Sequence, residues 1–177
     1  MSEEWLVGGA THDSQTVTGE WMRPDMKMIE GVQVKEVKHV PKTSGYLTEI
    51  YRCDWGLDDR PVDQIFQVVL LPGQISAWHA HATTLDRLFV SIGLARIALF
   101  DRRKGSSTFG IVNEFKIGEI RPALIVIPPT VWHGIQNIGA TPAIVLNIVD
   151  SAYRYQSPDH WRAPLDSSEI PFSFSGS

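Results

Sequence analysis

The chain has 177 residues, 43% hydrophobic and 20% charged, which suits a single globular domain. A formal net charge of -4, with no basic run and no basic amphipathic stretch, argues against nucleic acid and anionic membranes as partners. No apolar span reaches membrane length, the start Met-Ser-Glu-Glu-Trp is acidic rather than signal-like, and Cys53 is the single cysteine, so no internal disulfide can form and a cytoplasmic location is expected.

Residues 1–30 are polar and irregular, with apolar islands at Trp5 to Val7 and at Trp21-Met22. They are expected to form an N-terminal arm that packs on the body or on a partner subunit. From Gly31 the pattern becomes strand and turn. Val32, Val34 and Val37 begin it, and Tyr46 to Cys53 alternates. An Asp- and Pro-rich loop, Asp54 to Asp63, follows. Further strands are expected at Ile65 to Leu71, Gln74 to His81, Arg87 to Ile92, Ala95 to Phe100, Thr108 to Ile117, Ala123 to Ile127, Trp132 to Ile138 and Ala143 to Val149. Many short strands punctuated by Gly and Pro, with almost no helical periodicity, indicate an all-β sandwich or barrel over residues 31–152. Residues 153–177 are Pro- and Ser-rich and are expected to be an irregular tail packed on that barrel. Cys53 has no helix-start signal beside it and reads as a buried or half-buried structural thiol.

The chemistry-bearing residues fall in two stretches, Gly73 to Asp86 and Pro128 to Asn137. His79 and His81 are two apart, so in a strand both imidazoles point to one face. Asp86, Leu88 and Val90 share a face of the next strand, and a carboxylate on an otherwise apolar face points into a cavity more often than onto a surface. His133, Ile135 and Asn137 share a face of a later strand. Three imidazoles and a carboxylate (His79, His81, Asp86 and His133) with open positions left over would suit Fe(II), Mn, Ni or Zn. The same four could instead form a metal-free polar pocket, or be structural. His12, His39 and His160 lie among polar residues and read as surface. Trp78 and Trp132 each precede a key His and, in a strand, face away from it into packing. The loop Asp101 to Lys104 could meet a phosphate, although such loops are more often merely solvated. No P-loop, dinucleotide-binding or Gly-x-Ser-x-Gly pattern occurs.

These stretches resemble the paired motifs of the cupin superfamily. Gly73, His79, His81 and Gly93 fit the first, with Asp86 in place of Glu. Pro128, His133 and Asn137 fit the second, with Thr130 in place of Gly. From about Val34 to Phe172 the chain is also similar to the dTDP-4-dehydrorhamnose 3,5-epimerase family. The matching pieces are Gly45 to Tyr51, Trp78-His79, Asp101 to Gly110, Ile127 to Gly134 and Tyr155 to Asp159, with a related tail from Arg162 to Phe172. The resemblance implies an antiparallel jelly-roll (double-stranded β-helix) barrel and a homodimer acting on a sugar nucleotide without a cofactor. It implies protons removed alpha to a 4-keto group of a 4-keto-6-deoxyhexose and returned on the other face, with His79 in the place of the base. It further implies His81 and His133 as catalytic residues beside that base, and Glu49, Tyr51, Arg87, Asn137 and Tyr153 as substrate-binding positions. Several family positions are changed. By count, Leu146 falls where the family has its catalytic Tyr, and Ser76 and Ser44 fall where arginines grip the pyrophosphate. A family Lys is replaced by Asp86 or Arg87. The Asp that orients the family's base belongs to a C-terminal extension expected to be missing here. Sugar 3,4-ketoisomerases share the His79-Ala80-His81 pattern without the longer matches. Three functions follow: an epimerase or isomerase of sugar nucleotides, a metal-dependent cupin oxygenase or isomerase of another small molecule, and a non-catalytic sugar- or partner-binding cupin.

Overall fold

The computed structural model describes residues 5–19 and 23–174. Its strands are β1 (Gln33–Glu36), β2 (His39–Lys42), β3 (Gly45–Thr48), β4 (Gln64–Leu70), β5 (Ile75–Ala80), β6 (Asp86–Ile92), β7 (Leu94–Asp101), β8 (Val112–Gly118), β9 (Ala123–Ile127), β10 (Val131–Asn137), β11 (Ala143–Val149) and β12 (Trp161–Arg162). The one helical element among the described residues is a 3-10 turn at Cys53–Trp55. Among the described residues no helix is long and apolar enough to cross a membrane.

Two five-stranded antiparallel sheets, β1-β9-β6-β11-β4 and β12-β5-β10-β7-β8, face each other as a jelly-roll barrel, with β2-β3 as a separate hairpin. The alternation that made the strands legible also divides the molecule into layers. Inward side chains such as Leu88, Val90, Ile97, Leu99, Ile125 and Val145 form the main core, joined by Ile29 from the end of the arm segment. The outer face of the first sheet (Phe89, Leu124, Ile148) is covered by Ile50, Tyr51, Trp55 and Leu57. The outer face of the second (Trp78, Ala98, Phe100) is covered by Ile170, Phe172 and Phe174 from the tail. Trp5 is exposed, and Trp21 lies outside the described residues.

Two local expectations are corrected. Cys53 is exposed, because the turn that carries it lies on the surface. The Asp101 loop is an internal brace. Asp101 is fully buried and accepts hydrogen bonds from Arg103, Ser106 and Thr108, while Arg102 pairs with Glu169.

Candidate active site

One end of the barrel is left open as a cavity of about 530 Å³. Apolar side chains of β4, β6, β10 and β11, among them Val68, Leu88, Ile135 and Val145, form its floor, and residues 151–154 and 157–162 of the tail form a wall. β5 supplies Ser76, His79 and His81. Simple alternation would not put Ser76 with His79. The register slips between the pairs His133–His79 and Ile135–Ser76, so β5 carries an extra residue there. That bulge returns Ser76 to the cavity side and leaves Ala77 and Trp78 in the outer layer.

Asp86 opens β6 at 2% exposure. Its Oδ1 accepts from Asn147 Nδ2 at 2.7 Å. Its Oδ2 lies 3.3 Å from His81 Nε2 and 3.7 Å from His133 Nε2. His133 Nδ1 donates to the Val131 carbonyl at 3.2 Å, and His81 Nδ1 donates to the Asp159 carbonyl. With both Nδ1 hydrogens committed to carbonyls, the Nε2 atoms of His81 and His133 and the Asp86 carboxylate converge, and an Nε2 that carries no hydrogen is an acceptor like the carboxylate. Such a set calls for a cation between its members, a proton or a metal ion. Their ligand atoms lie within 4.8 Å of one another.

His79 stands apart from that trio. Its Nδ1 shares a 2.8 Å hydrogen bond with His160 Nε2, and its Nε2 lies 3.0 Å from Ser76 Oγ. Burial, followed by the neighbouring His133, His160, Arg162 and His81, lowers its pKa to about 3. Burial is also the main cause that lowers His160 and His133, the latter against the pull of Asp86. His79 is therefore a neutral imidazole at neutral pH.

The tail wall is tied down by Asp159. Its carboxylate accepts from the backbone N–H groups of Ala82, Thr83 and Thr84 at 2.6, 2.8 and 3.0 Å, and from the hydroxyls of Thr83 and Thr84 at 2.8 and 3.0 Å. These donors hold its carboxyl below the ordinary carboxylate range although burial opposes them. β12 then pairs with β5 in the register Trp161–Ala80 and Arg162–His79, which places Arg162 beside His79.

No family model matches the chain. It is 31% identical over 142 residues, 80% of its length, to the Probable low-salt glycan biosynthesis epimerase Agl13 of Haloferax volcanii, covering 91% of that protein. It is 33% identical over 147 residues, 83% of its length, to the spore coat polysaccharide biosynthesis protein SpsL of Bacillus subtilis, covering 97% of it. Among solved structures, a dTDP sugar isomerase from Desulfovibrio desulfuricans superposes with a TM-score of 0.78 at 31% identity, over 84% of this chain and 94% of that one. The chain belongs to the dTDP-4-dehydrorhamnose 3,5-epimerase-related family. The same fold occurs in less similar proteins. NovW, a 4-keto-6-deoxy sugar epimerase from Streptomyces spheroides, superposes with a TM-score of 0.75 at 16% identity, over 97% of this chain and 83% of that one.

Within this epimerase-related barrel the structure gathers His79, His81, Asp86, His133 and Tyr153 around the cavity. It separates four other expected positions from it. Arg87 is fully buried on the opposite face of β6, as alternation from Asp86 requires. There it is bound to Asp58 and to the Arg60 carbonyl, with its guanidinium 5.2 Å from the Tyr51 ring. Tyr51 belongs to the segment covering the first sheet, and Glu49 is exposed and paired with Arg52 at 3.0 Å. Asn137 is fully buried and donates to the carbonyls of Leu70 and Thr141, closing the turn after β10.

The expected four-residue metal set becomes three, because the ligand atoms that converge within 4.8 Å are those of His81, Asp86 and His133, and His79 is not among them. Leu146 is also reassigned. It packs with Phe89 and Leu124 in the outer layer, and the residues of β11 that reach the cavity are Val145, Asn147 and Val149. Ser44 is exposed at the β2-β3 turn, whereas Ser76 does reach the cavity. His160, expected on the surface, is part of the site. Asn147, whose buried Oδ1 has no hydrogen-bond partner among the described residues, was also missed. The signal for it was there: a lone amide in the apolar alternation Val145-x-Asn147-x-Val149.

Proposed function

We propose that the protein is a sugar-nucleotide epimerase of polysaccharide biosynthesis, acting on a 4-keto-6-deoxyhexose nucleotide with His79 as general base. The observation that carries this reading is the His79–His160 pair at the cavity wall. His160 occupies Nδ1 and leaves Nε2 on the cavity side, where only the Ser76 hydroxyl stands in front of it. A neutral imidazole held this way can take a proton from carbon next to a ketone. The proton passes to His79 Nε2, the C–H electron pair becomes a double bond between that carbon and the carbonyl carbon, and the carbonyl π pair moves onto oxygen as an enolate; the imidazolium then gives its proton to water. A proton returned from the opposite face re-forms the ketone with inverted configuration. Leu146 cannot supply that proton from its outer-layer position. Tyr153, which lines the cavity, Tyr155 beside it at 5.5 Å between ring centroids, or a water would do so. The names of the Haloferax and Desulfovibrio relatives, an epimerase and a dTDP sugar isomerase, support the same reaction class.

The homodimer is part of this proposal. The outer face of edge strand β4 exposes Ile65 and Val69, and Leu71 just beyond it is exposed as well, so a second copy of the chain would cover an apolar strip. The direct test of function is incubation with dTDP-4-keto-6-deoxyglucose followed by NMR. The expected result is a second 4-keto diastereomer. An unchanged spectrum after prolonged incubation would count against the reading.

The convergence of His81, Asp86 and His133 supports a second reading, a divalent-metal cupin enzyme. Two imidazoles and a carboxylate with positions left open fit Fe, Mn, Ni or Zn, and such an ion would polarise a substrate oxygen. Elemental analysis separates the two readings. A stoichiometric metal that is lost in His81→Ala would favour the second.

A further inference from the structure

The family positions expected to grip a pyrophosphate are serines here, yet the cavity is not without cations. Arg154 and Arg162 both line it, and both are exposed at its rim. Every other arginine of the chain is held by a carboxylate within 3.3 Å. Arg154 and Arg162 make no side-chain hydrogen bond or ion pair among the described residues. An unpaired guanidinium is ordinary on an open surface. Two of them on one short tail segment, aimed at one cavity in a chain of net charge -4, form a local exception to the charge balance.

The carboxylates lining the cavity do not pair with them. Asp159 is saturated by five donors from residues 82–84, and Asp86 is taken up by Asn147, His81 and His133. The guanidinium donors at the mouth are therefore left without a carboxylate partner among the described residues. Their position is set by structure on both sides. Asp159 fixes the segment onto the barrel, and the Arg162–His79 register holds Arg162 beside the imidazole pair. The planar guanidinium fork matches phosphoryl oxygens in two-point contact.

We propose that Arg154 and Arg162 of the tail form the anion grip of this cavity, taking the diphosphate of the substrate in place of arginines on the barrel strands. The identity of the ligand as a nucleotide sugar rests on the proposed function; the diphosphate grip itself does not. The tail wall then has two tasks. Its His160 holds the His79 imidazole at the wall, and its arginines fix the charged end of the substrate at the rim, so the distance between reacting carbon and phosphate is set within one strapped segment.

The test is isothermal titration of the full chain with dTDP, inorganic pyrophosphate and thymidine. The proteins are wild type, Arg154→Gln, Arg162→Gln and the double variant, with Arg121→Gln as a control far from the cavity and melting curves to confirm folding. Each single change should weaken dTDP and pyrophosphate about 10-fold, and the double about 100-fold, as expected for loss of one and two charge-assisted contacts. Thymidine binding should not respond, and Arg121→Gln should match wild type. A folded double variant that binds dTDP and pyrophosphate like wild type would overturn the grip, as would a wild-type protein that binds neither. Arginine-dependent pyrophosphate binding in a protein that leaves keto-sugar nucleotides unchanged would uphold the grip and remove the epimerase reading.

Discussion

Replacing Asp159 by Ala should loosen the tail wall without touching the barrel. The carboxylate caps three backbone N–H groups and two hydroxyls of residues 82–84 at 2.6–3.0 Å. A hydrogen bond to a charged group contributes roughly 1.5–3 kcal/mol, but these donors lie at a half-open rim where water can replace the lost oxygen atoms. A net loss of about 2–3 kcal/mol for the whole cap is reasonable. At ~2–4 °C per kcal/mol for a chain of this size, the melting temperature should fall by about 4–12 °C. Calorimetry measures the fall, and hydrogen exchange locates it: amides of 82–84 and 160–163 should lose protection, while those of β7 and β10 keep it relative to the new global stability. The carboxyl's folded pKa is depressed, so its contribution is complete above the ordinary carboxylate pKa of about 3.9 and fades as pH falls below it. The gap between wild type and variant should therefore close in acid. A variant that melts within about 1 °C of wild type at pH 7, with the tail still protected, would refute the cap as the strap of the wall.

Asp58→Ala should cost about 3–5 kcal/mol in urea unfolding, since it leaves the buried Arg87 guanidinium without its carboxylate, and Asp58→Ala combined with Arg87→Met should recover most of that loss. Gly134→Ala should destabilise by roughly 1–3 kcal/mol, because an added Cβ would sit 2.4 Å from Ala77 Cβ and 2.9 Å from the Phe174 ring; an unchanged melting temperature would contradict that packing. His79 and His160 have folded pKa values below that of a free imidazole, so the unfolded chain takes up protons first as pH falls below about 6.5. Stability should be highest above that pH and decline below it by up to ~1.4 kcal/mol per pH unit for each imidazole kept neutral. Urea midpoints that stay level from pH 7.5 to 5 would show that these rings are not held neutral.

Most of the barrel was legible because strand alternation is a local property. The expected strands at Ala123 to Ile127 and Ala143 to Val149 coincide with β9 and β11, and the others differ by a few residues at their ends. The stretch Tyr46 to Cys53 was overextended, because its apolar residues cover the first sheet from outside rather than continuing β3. At the site, spacing within one strand carried true information about His79, His81 and Asp86. What spacing cannot contain is pairing between distant segments. His160 and Arg162 enter the cavity only because β12 pairs with β5 some eighty residues away, a contact with no periodic signature in a Pro- and Ser-rich tail. The bulge in β5 is hidden for the related reason that counting along a strand assumes an unbroken register.

The assignment of His79 as the base is tested most directly by solvent exchange. Wild-type protein and His79→Gln are incubated in deuterium oxide with dTDP-4-keto-6-deoxyglucose, and deuterium at the sugar C3 and C5 positions is followed by NMR. Wild type should incorporate deuterium, and His79→Gln, which keeps the size of the side chain and loses the base, should be slower by about 10²–10⁴-fold. Incorporation by His79→Gln at the wild-type rate would contradict the assignment, and no incorporation by wild type would contradict the epimerase reading as a whole.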